Sequence, residues 1–315
     1  MRVFDFCRPK QSRRRLPLVL TLMLALGSWG HSQAQSADSP TLQRIRDTGV
    51  IVMGYRATSP PFSYLDSRLK PIGYSIELCE RVIQAVKKQL GLNELEVKRV
   101  PVSSATRMPL VANGTLDLEC GITTHTAERA RNQSFSVTTF VAETKLLARR
   151  GARLQEVDDL RGKVVVSTLG TTSIQYLHAL NSRQALGMRI LLGQDDQEAF
   201  RTLQSGRAYA FMMDDVLLAS LMADAPDGAD FQMSSQALTV EPYAIGLPPR
   251  DPGFKRLVDA ELAALYRSGE IHTIYRRWFE SPIPPRGTNL RLPMSPAFQR
   301  VVERPIDSPD PAQYQ

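Results

Sequence analysis

Cysteine and histidine are scarce in this 315-residue chain, with three of the first and four of the second. His31, His125, His178 and His272 stand apart without metal-ligand spacing, and no paired Cys-x-x-Cys occurs, so the sequence gives no case for a metal centre. A Ser-His-Asp order, a phosphate loop and a Gly-x-Gly-x-x-Gly fingerprint are missing too, which removes the common hydrolase and nucleotide classes and leaves no cofactor expected. Long hydrophobic runs are rare: only Leu16–Trp29 qualifies, and it falls short of the ~20 residues that span a bilayer. Lys10, Arg13, Arg14 and Arg15 precede that run and Ser32-Gln33-Ala34 follows it, the pattern of a secretory signal peptide over residues 1–34. Cys7 lies ahead of the run, so no lipoprotein cysteine marks the cleavage point. The mature chain is expected to be soluble and periplasmic.

An excess of one charge is missing as well. Residues 1–34 hold six of the 39 Lys and Arg and one of the 32 Asp and Glu, which leaves 33 against 31, a balance of +2. The pI of about 9.4 therefore belongs largely to the leader and makes no case for nucleic acid. Cys79 and Cys120 remain in the mature chain. An exported protein can oxidise them, and Cys79 on the first long helix could face Cys120 at a strand end, so a disulfide is expected, with two buried thiols as the alternative.

What is present is a globular composition, 43% apolar and 23% charged, in a chain long enough for two domains. Val50–Tyr55, Glu96–Val102 and Asp117–Gly121 read as strands. Between them lie a helix from Gly73 with apolar positions at Ile76, Cys79, Val82, Ile83, Val86 and Leu90, and a shorter helix through Val111 capped by Ser103 or Ser104. Ser39-Pro40 starts a first helix that Gly49 ends. From Phe140 the rhythm restarts: strands at Lys145–Arg149, Val164–Leu169, Met188–Leu192, Tyr209–Met213 and Tyr243–Leu247, with helices over 174–185 and Gln197–Gln204. Helices over Gly253–Arg267 and Glu270–Glu280 follow, and the five prolines from Ser281 to Pro296 predict an extended wrap. Trp278-Phe279 reads as packing. The result is α/β: two lobes, each a mostly parallel sheet flanked by helices, joined by a two-strand hinge. Lobe 1 takes residues 35–139 plus 247–315 and lobe 2, inserted, takes 140–246. Hinged lobes close around a ligand.

Three arginines, Arg56, Arg107 and Arg129, each stand a few residues past a strand end, the position where open α/β sheets bind ligands. Hydroxyls at Thr123 and Thr124 precede Arg129, and the turn at Gly170-Thr171-Thr172-Ser173 leads into a helix N-terminus. Val50-Ile51-Val52 with Gly54 and Arg56, Pro61-Phe62-Ser63-Tyr64, Gly73-Tyr74-Ser75, Glu119-Cys120-Gly121 with Glu128-Arg129, Phe200-Arg201-Thr202-Leu203, Ala210-Phe211-Met212-Met213-Asp214-Asp215 and Pro282-Ile283-Pro284-Pro285 then carry a resemblance. Across essentially the whole mature chain, the sequence resembles the periplasmic substrate-binding proteins of ABC transporters for polar amino acids, within them the glutamate/aspartate-binding group.

That resemblance implies a two-lobed periplasmic-binding-protein fold and an acidic or related polar amino acid delivered to an inner-membrane permease by a monomer. It implies that Arg129 holds the ligand α-carboxylate with Thr123, Thr124 and Thr172, that Asp214 takes the ammonium, and that Arg56, Ser104 and Arg107 bind the acidic side chain. Two positions depart from the pattern: Ile122 replaces a serine, and Asp196 replaces a histidine near the distal carboxylate. Asp196 either faces the ligand or only caps the helix from Gln197. His125 is expected at the rim of the cleft. An enzyme on the same fold, a cyclohexadienyl dehydratase, is the alternative function.

Overall fold

The computed structural model describes residues 39–154 and 156–315; the signal peptide expected at 1–34 lies outside them. Two sheets carry the architecture. The first runs in the order Glu96–Pro101, Val50–Tyr55, Leu118–Cys120, Gly246–Leu247, Ser134–Phe135. Its first three strands are parallel and the last two pairings antiparallel. The second runs Arg189–Gly193, Val164–Thr168, Ala210–Asp214, Phe140–Arg149, with Phe231–Met233 and Thr239–Tyr243 both paired antiparallel to the long strand Phe140–Arg149. A small antiparallel sheet of Thr58–Ser59, Ser63–Leu65 and Pro71–Ile72 flanks the first.

Local sequence accounts for the main elements. Tyr74–Leu90 buries Ile76, Cys79, Val82, Ile83 and Val86 on one face, and Gly91 ends it in the left-handed conformation. Cys79 on that helix and Cys120 on the neighbouring strand form a disulfide with 6.2 Å between their Cα atoms. Ser39 and Asp251 each accept a hydrogen bond from a first-turn N–H of their helices, with proline at the first helical position. Asp251 accepts from Ser39 as well, which ties the first helix to the helix Pro252–Arg267.

Phe140 stands where the chain passes from the first sheet to the second. Phe62, Tyr243, Phe279 and Tyr275 surround its ring at centroid distances of 4.9 to 6.3 Å. Tyr74 and Tyr266 donate to the carbonyls of Thr139 and Thr138, and Thr138 N–H donates to Ile306. The crossing is thereby held by both the first helices and the C-terminal segment. No described helix is long and apolar enough to cross a membrane.

Several elements differ from the sequence reading. The strand predicted over Tyr243–Leu247 is two strands in two sheets, because Ala244 and Ile245 give their N–H groups to Thr123 O and Ser136 Oγ instead of to a ladder. The strand from Lys145 begins earlier, at Phe140. The tail is not extended throughout: after the proline-rich stretch a helix spans Pro296–Glu303, capped by Ser295.

Candidate functional site: an arginine wall facing a carboxylate wall

The first wall grows from the carboxyl ends of Val50–Tyr55 and Leu118–Cys120. Arg56 gives its N–H to Ser63 Oγ at 2.9 Å and its Nη1 to Ser104 Oγ at 2.8 Å, so Ser104 orients this arginine. Ser104 is therefore not a helix cap; Ser103 and Thr106 exchange the turn-forming bonds before the helix Arg107–Ala112. Arg107 is 2% exposed, and its Nε and Nη1 have no hydrogen-bond partner among the described residues. Burial brings its pKa down to about 9; Glu119 opposes this, while Arg129 and Arg56 add to it. At neutral pH it stays charged, a donor with bonds still to make.

Arg129 opens the short helical turn Arg129–Arg131. Its Nη1 donates to Thr124 O at 3.0 Å and its Nη2 to Gly170 O at 3.4 Å, which links the two sides of the cleft. Burial lowers its pKa, against the pull of Glu241, Glu119 and Asp214. Glu119, to which the sequence reading gave no role, is 1% exposed and accepts from Thr123 Oγ1 at 2.5 Å, leaving Oε1 unpartnered. Gly121 makes room for it: a Cβ there would lie 2.3 Å from Glu119 Oε1 and 3.1 Å from Arg56 Cγ. Thr123 thus points its hydroxyl at Glu119, and Thr124 contributes its carbonyl.

The second wall begins at the end of Val164–Thr168. Gly170 has φ +79°, and a Cβ on it would meet Ala105 Cα at 2.8 Å, so the backbones of Gly170 and Ser104-Ala105 touch across the cleft. Thr171 caps the helix Thr172–Arg183, which starts two residues before the predicted 174, and Thr172 donates to Glu241 Oε2 at 2.7 Å. Asp214 accepts from Thr144 at 3.1 Å, from Ser173 at 3.4 Å and from the Tyr243 hydroxyl. Burial first, then the charge of Glu241, pushes its pKa up to about 8. Glu241 itself accepts from Thr144 at 3.2 Å, Thr239 at 2.5 Å and Thr172. Two buried carboxylates thus share one net of hydroxyls.

Asp196 does not cap the helix Asp196–Gln204. Asp195 does, accepting from Glu198 N at 2.8 Å. Asp196 is the first helical residue, 2% exposed, with Oδ1 accepting from Thr168 Oγ1 at 2.7 Å and Oδ2 unpartnered. Burial raises its pKa, and Arg56, Thr168 and Arg107 pull the other way. Ile122 is buried in the apolar core.

His125, expected at the rim, is buried and stacked on Phe135 with centroids 4.4 Å apart, and burial lowers its pKa to about 4. Glu241 was missed because the strand reading began at Tyr243; an acid between Val240 and Pro242 in an apolar stretch was the available signal. Among the described residues, no group of three or more His, Cys, Asp or Glu side chains is placed to hold a metal.

The sequence profile of bacterial extracellular solute-binding proteins, family 3, matches residues 51–281. The chain is 46% identical over 268 residues to the L-glutamate/L-aspartate-binding protein of Pseudomonas aeruginosa, covering 85% of this chain and 89% of that one. It is 41% identical to the glutamate/aspartate import solute-binding protein of Salmonella typhimurium, covering 94% and 98%. Among solved structures, an ancestral amino-acid-binding protein, a precursor of cyclohexadienyl dehydratase, superposes with a TM-score of 0.66 at 25% identity, over 76% of this chain and all of that one.

Proposed function

Since the chain belongs to the bacterial extracellular solute-binding proteins of family 3, we propose that it binds an acidic or related polar amino acid, glutamate or aspartate foremost, between the two walls. In this reading it is the exported, periplasmic component of an ABC importer, acts as a monomer and delivers its ligand to the inner-membrane permease. The names of the Pseudomonas and Salmonella relatives support this ligand class. The observation that carries it is Arg107: a wholly buried guanidinium with two unpartnered donors, beside Arg56 and Arg129. A buried charged donor left unmade is costly, and a ligand carboxylate removes that cost.

We assign the α-carboxylate to Arg129 and the ammonium to Asp214, with Glu241 beside it; the distal group goes to Arg107, with Arg56 and Ser104 behind. Thr123, Thr124 and Thr172 shape the proximal end through Glu119, the Arg129 guanidinium and Glu241. Each charge-assisted bond contributes about 1.5–3 kcal/mol, so several suffice for the roughly −8 kcal/mol of micromolar binding after ordering costs. A lobe of residues 140–246 inserted into one of 35–139 plus 247–315 would close by rotation about the two crossings. The named relatives are transport proteins and not enzymes, so the dehydratase alternative is set aside.

Calorimetric titration with aspartate, glutamate, asparagine and glutamine tests the reading. Micromolar or tighter binding of at least one acidic amino acid is expected. Absence of heat with all four would overturn it.

A further inference from the structure

The two oxygens of Asp196 have unequal surroundings. Oδ1 accepts from Thr168, while Oδ2 is buried without a partner. Thr168 and Gly170 share one strand end, and the backbone of Gly170 touches Ser104-Ala105, next to the hydroxyl that holds Arg56. Arg56 and Arg107 both act on the Asp196 carboxyl, whereas Arg129 acts with Asp214 and Glu241. Asp196, with its free oxygen, thus sits in the field of Arg56 and Arg107, and Asp214 in that of Arg129. An acceptor beside donors does not suit a bare carboxylate, which would confront Asp196 with a like charge.

We propose that Asp196 makes the distal end of the site read a hydrogen atom and not a charge. An amide side chain brings its own N–H to Oδ2 while its carbonyl takes the Arg107 donors. A carboxylate side chain enters only with one proton, drawn from solvent and held between it and Asp196, as in other pairs of carboxyl groups that cannot both ionise at close range. This rests on the amino-acid reading above and refines it: the ligand class includes the amides, and uptake of an acidic ligand is coupled to a proton.

The charged groups around Asp196 agree. Arg56 and Arg107 face it from the first wall and Asp195 precedes it on its own helix. Asp196 also lines a cavity of about 240 Å³, together with Ser59, Gln197, Arg201, Asp224 and Arg286. Burial raises the Asp196 pKa, which eases the holding of a proton drawn in with the ligand.

The test is calorimetric titration of glutamate and glutamine between pH 5.5 and 8.5, in buffers of differing ionisation enthalpy, on the wild type and Asp196→Asn. Asp214 gives up its proton to either ligand, so the wild type should take up close to one proton more per glutamate than per glutamine. As pH rises through the range, the glutamate-to-glutamine affinity ratio should fall by up to about tenfold per unit. Asp196→Asn should abolish that difference and shift the glutamate-to-glutamine ratio at least tenfold toward glutamate. Equal proton counts for glutamate and glutamine, with an affinity ratio that does not change with pH, overturn the proposal while leaving the amino-acid reading intact, and so does an unchanged ratio in Asp196→Asn. Failure to bind any amino acid overturns both. Proton counting on the wild type decides the matter even if the variant does not fold.

Discussion

The arginine wall built from residues 56–129 and the pair Asp214 and Glu241 on the second wall handle buried charge in opposite ways. On the first, Arg107 keeps two donors unmade and Arg56 is held by a serine hydroxyl. On the second, five hydroxyls surround Asp214 and Glu241, that of Thr144 within reach of both, and burial favours the neutral form of Asp214. The first wall is therefore an incomplete anion site. On the second, Asp214 turns ionic when an ammonium arrives, since a nearby positive charge favours the carboxylate. Under the proposed function, this difference is expected to select an amino acid over a simple dicarboxylate.

Removing the arginines should break the comparison most sharply. Arg129→Ala, which deletes the group linking Thr124 O to Gly170 O, is expected to weaken amino-acid binding by a factor of 100 or more, corresponding to about 3 kcal/mol of charge-assisted bonding. Calorimetry that returns near-normal affinity would end the assignment.

The disulfide comes next. Cys120 lies in the strand that leads to Gly121 and Arg129, and its bond to Cys79 closes a separation of 41 residues. Changing both to serine should cost about 3–4 kcal/mol of stability, read by denaturant unfolding, with little change in affinity if the wall reassembles.

Arg107→Met separates the unliganded state from the bound one. Because a buried, unpartnered guanidinium is removed, the unliganded protein should gain about 1 kcal/mol of stability while losing most of its affinity for acidic ligands. A variant that loses stability instead would mean that Arg107 is a structural member of the wall.

Asp214 reports on the second wall through pH. Its folded pKa, about 8, lies above its unfolded value, so the folded state holds the extra proton between pH 4 and 8. Its stabilising effect is thus complete below about pH 4 and lost as pH rises toward 8. Asp214→Asn should flatten that part of the stability profile of the unliganded protein.

Asp224→Ala is the smallest case. It removes the contacts of Asp224 Oδ1 with Thr288 and of its carboxylate with Arg286, at the partly exposed edge of the cleft. Exposed ion pairs are weak, so affinity should change by less than about threefold.

Much of the frame is legible in the sequence because strands buried on both faces and helices with one apolar face leave clear periodicities. Ile51 and Met53, for instance, sit in a run with no polar interruption. Arginines just past strand ends are legible for the same reason. Less legible are features that depend on side chains from distant segments meeting. Glu119 and Glu241 look like ordinary acids until Thr123, Thr144, Thr172 and Thr239 are seen to satisfy them. Asp195 and Asp196 are adjacent and identical in type; only the helix start distinguishes the cap from the buried acid. The split of Tyr243–Leu247 is invisible locally because its partners, Thr123 and Ser136, lie over a hundred residues away.

A crystal structure of the protein grown with glutamate would test the central claim most directly. One amino acid should lie enclosed between the walls, its α-carboxylate on the Arg129 guanidinium, its ammonium on Asp214 and its distal group on Arg107 Nε and Nη1. A ligand bound without touching Arg107, or an ammonium remote from Asp214, would contradict it.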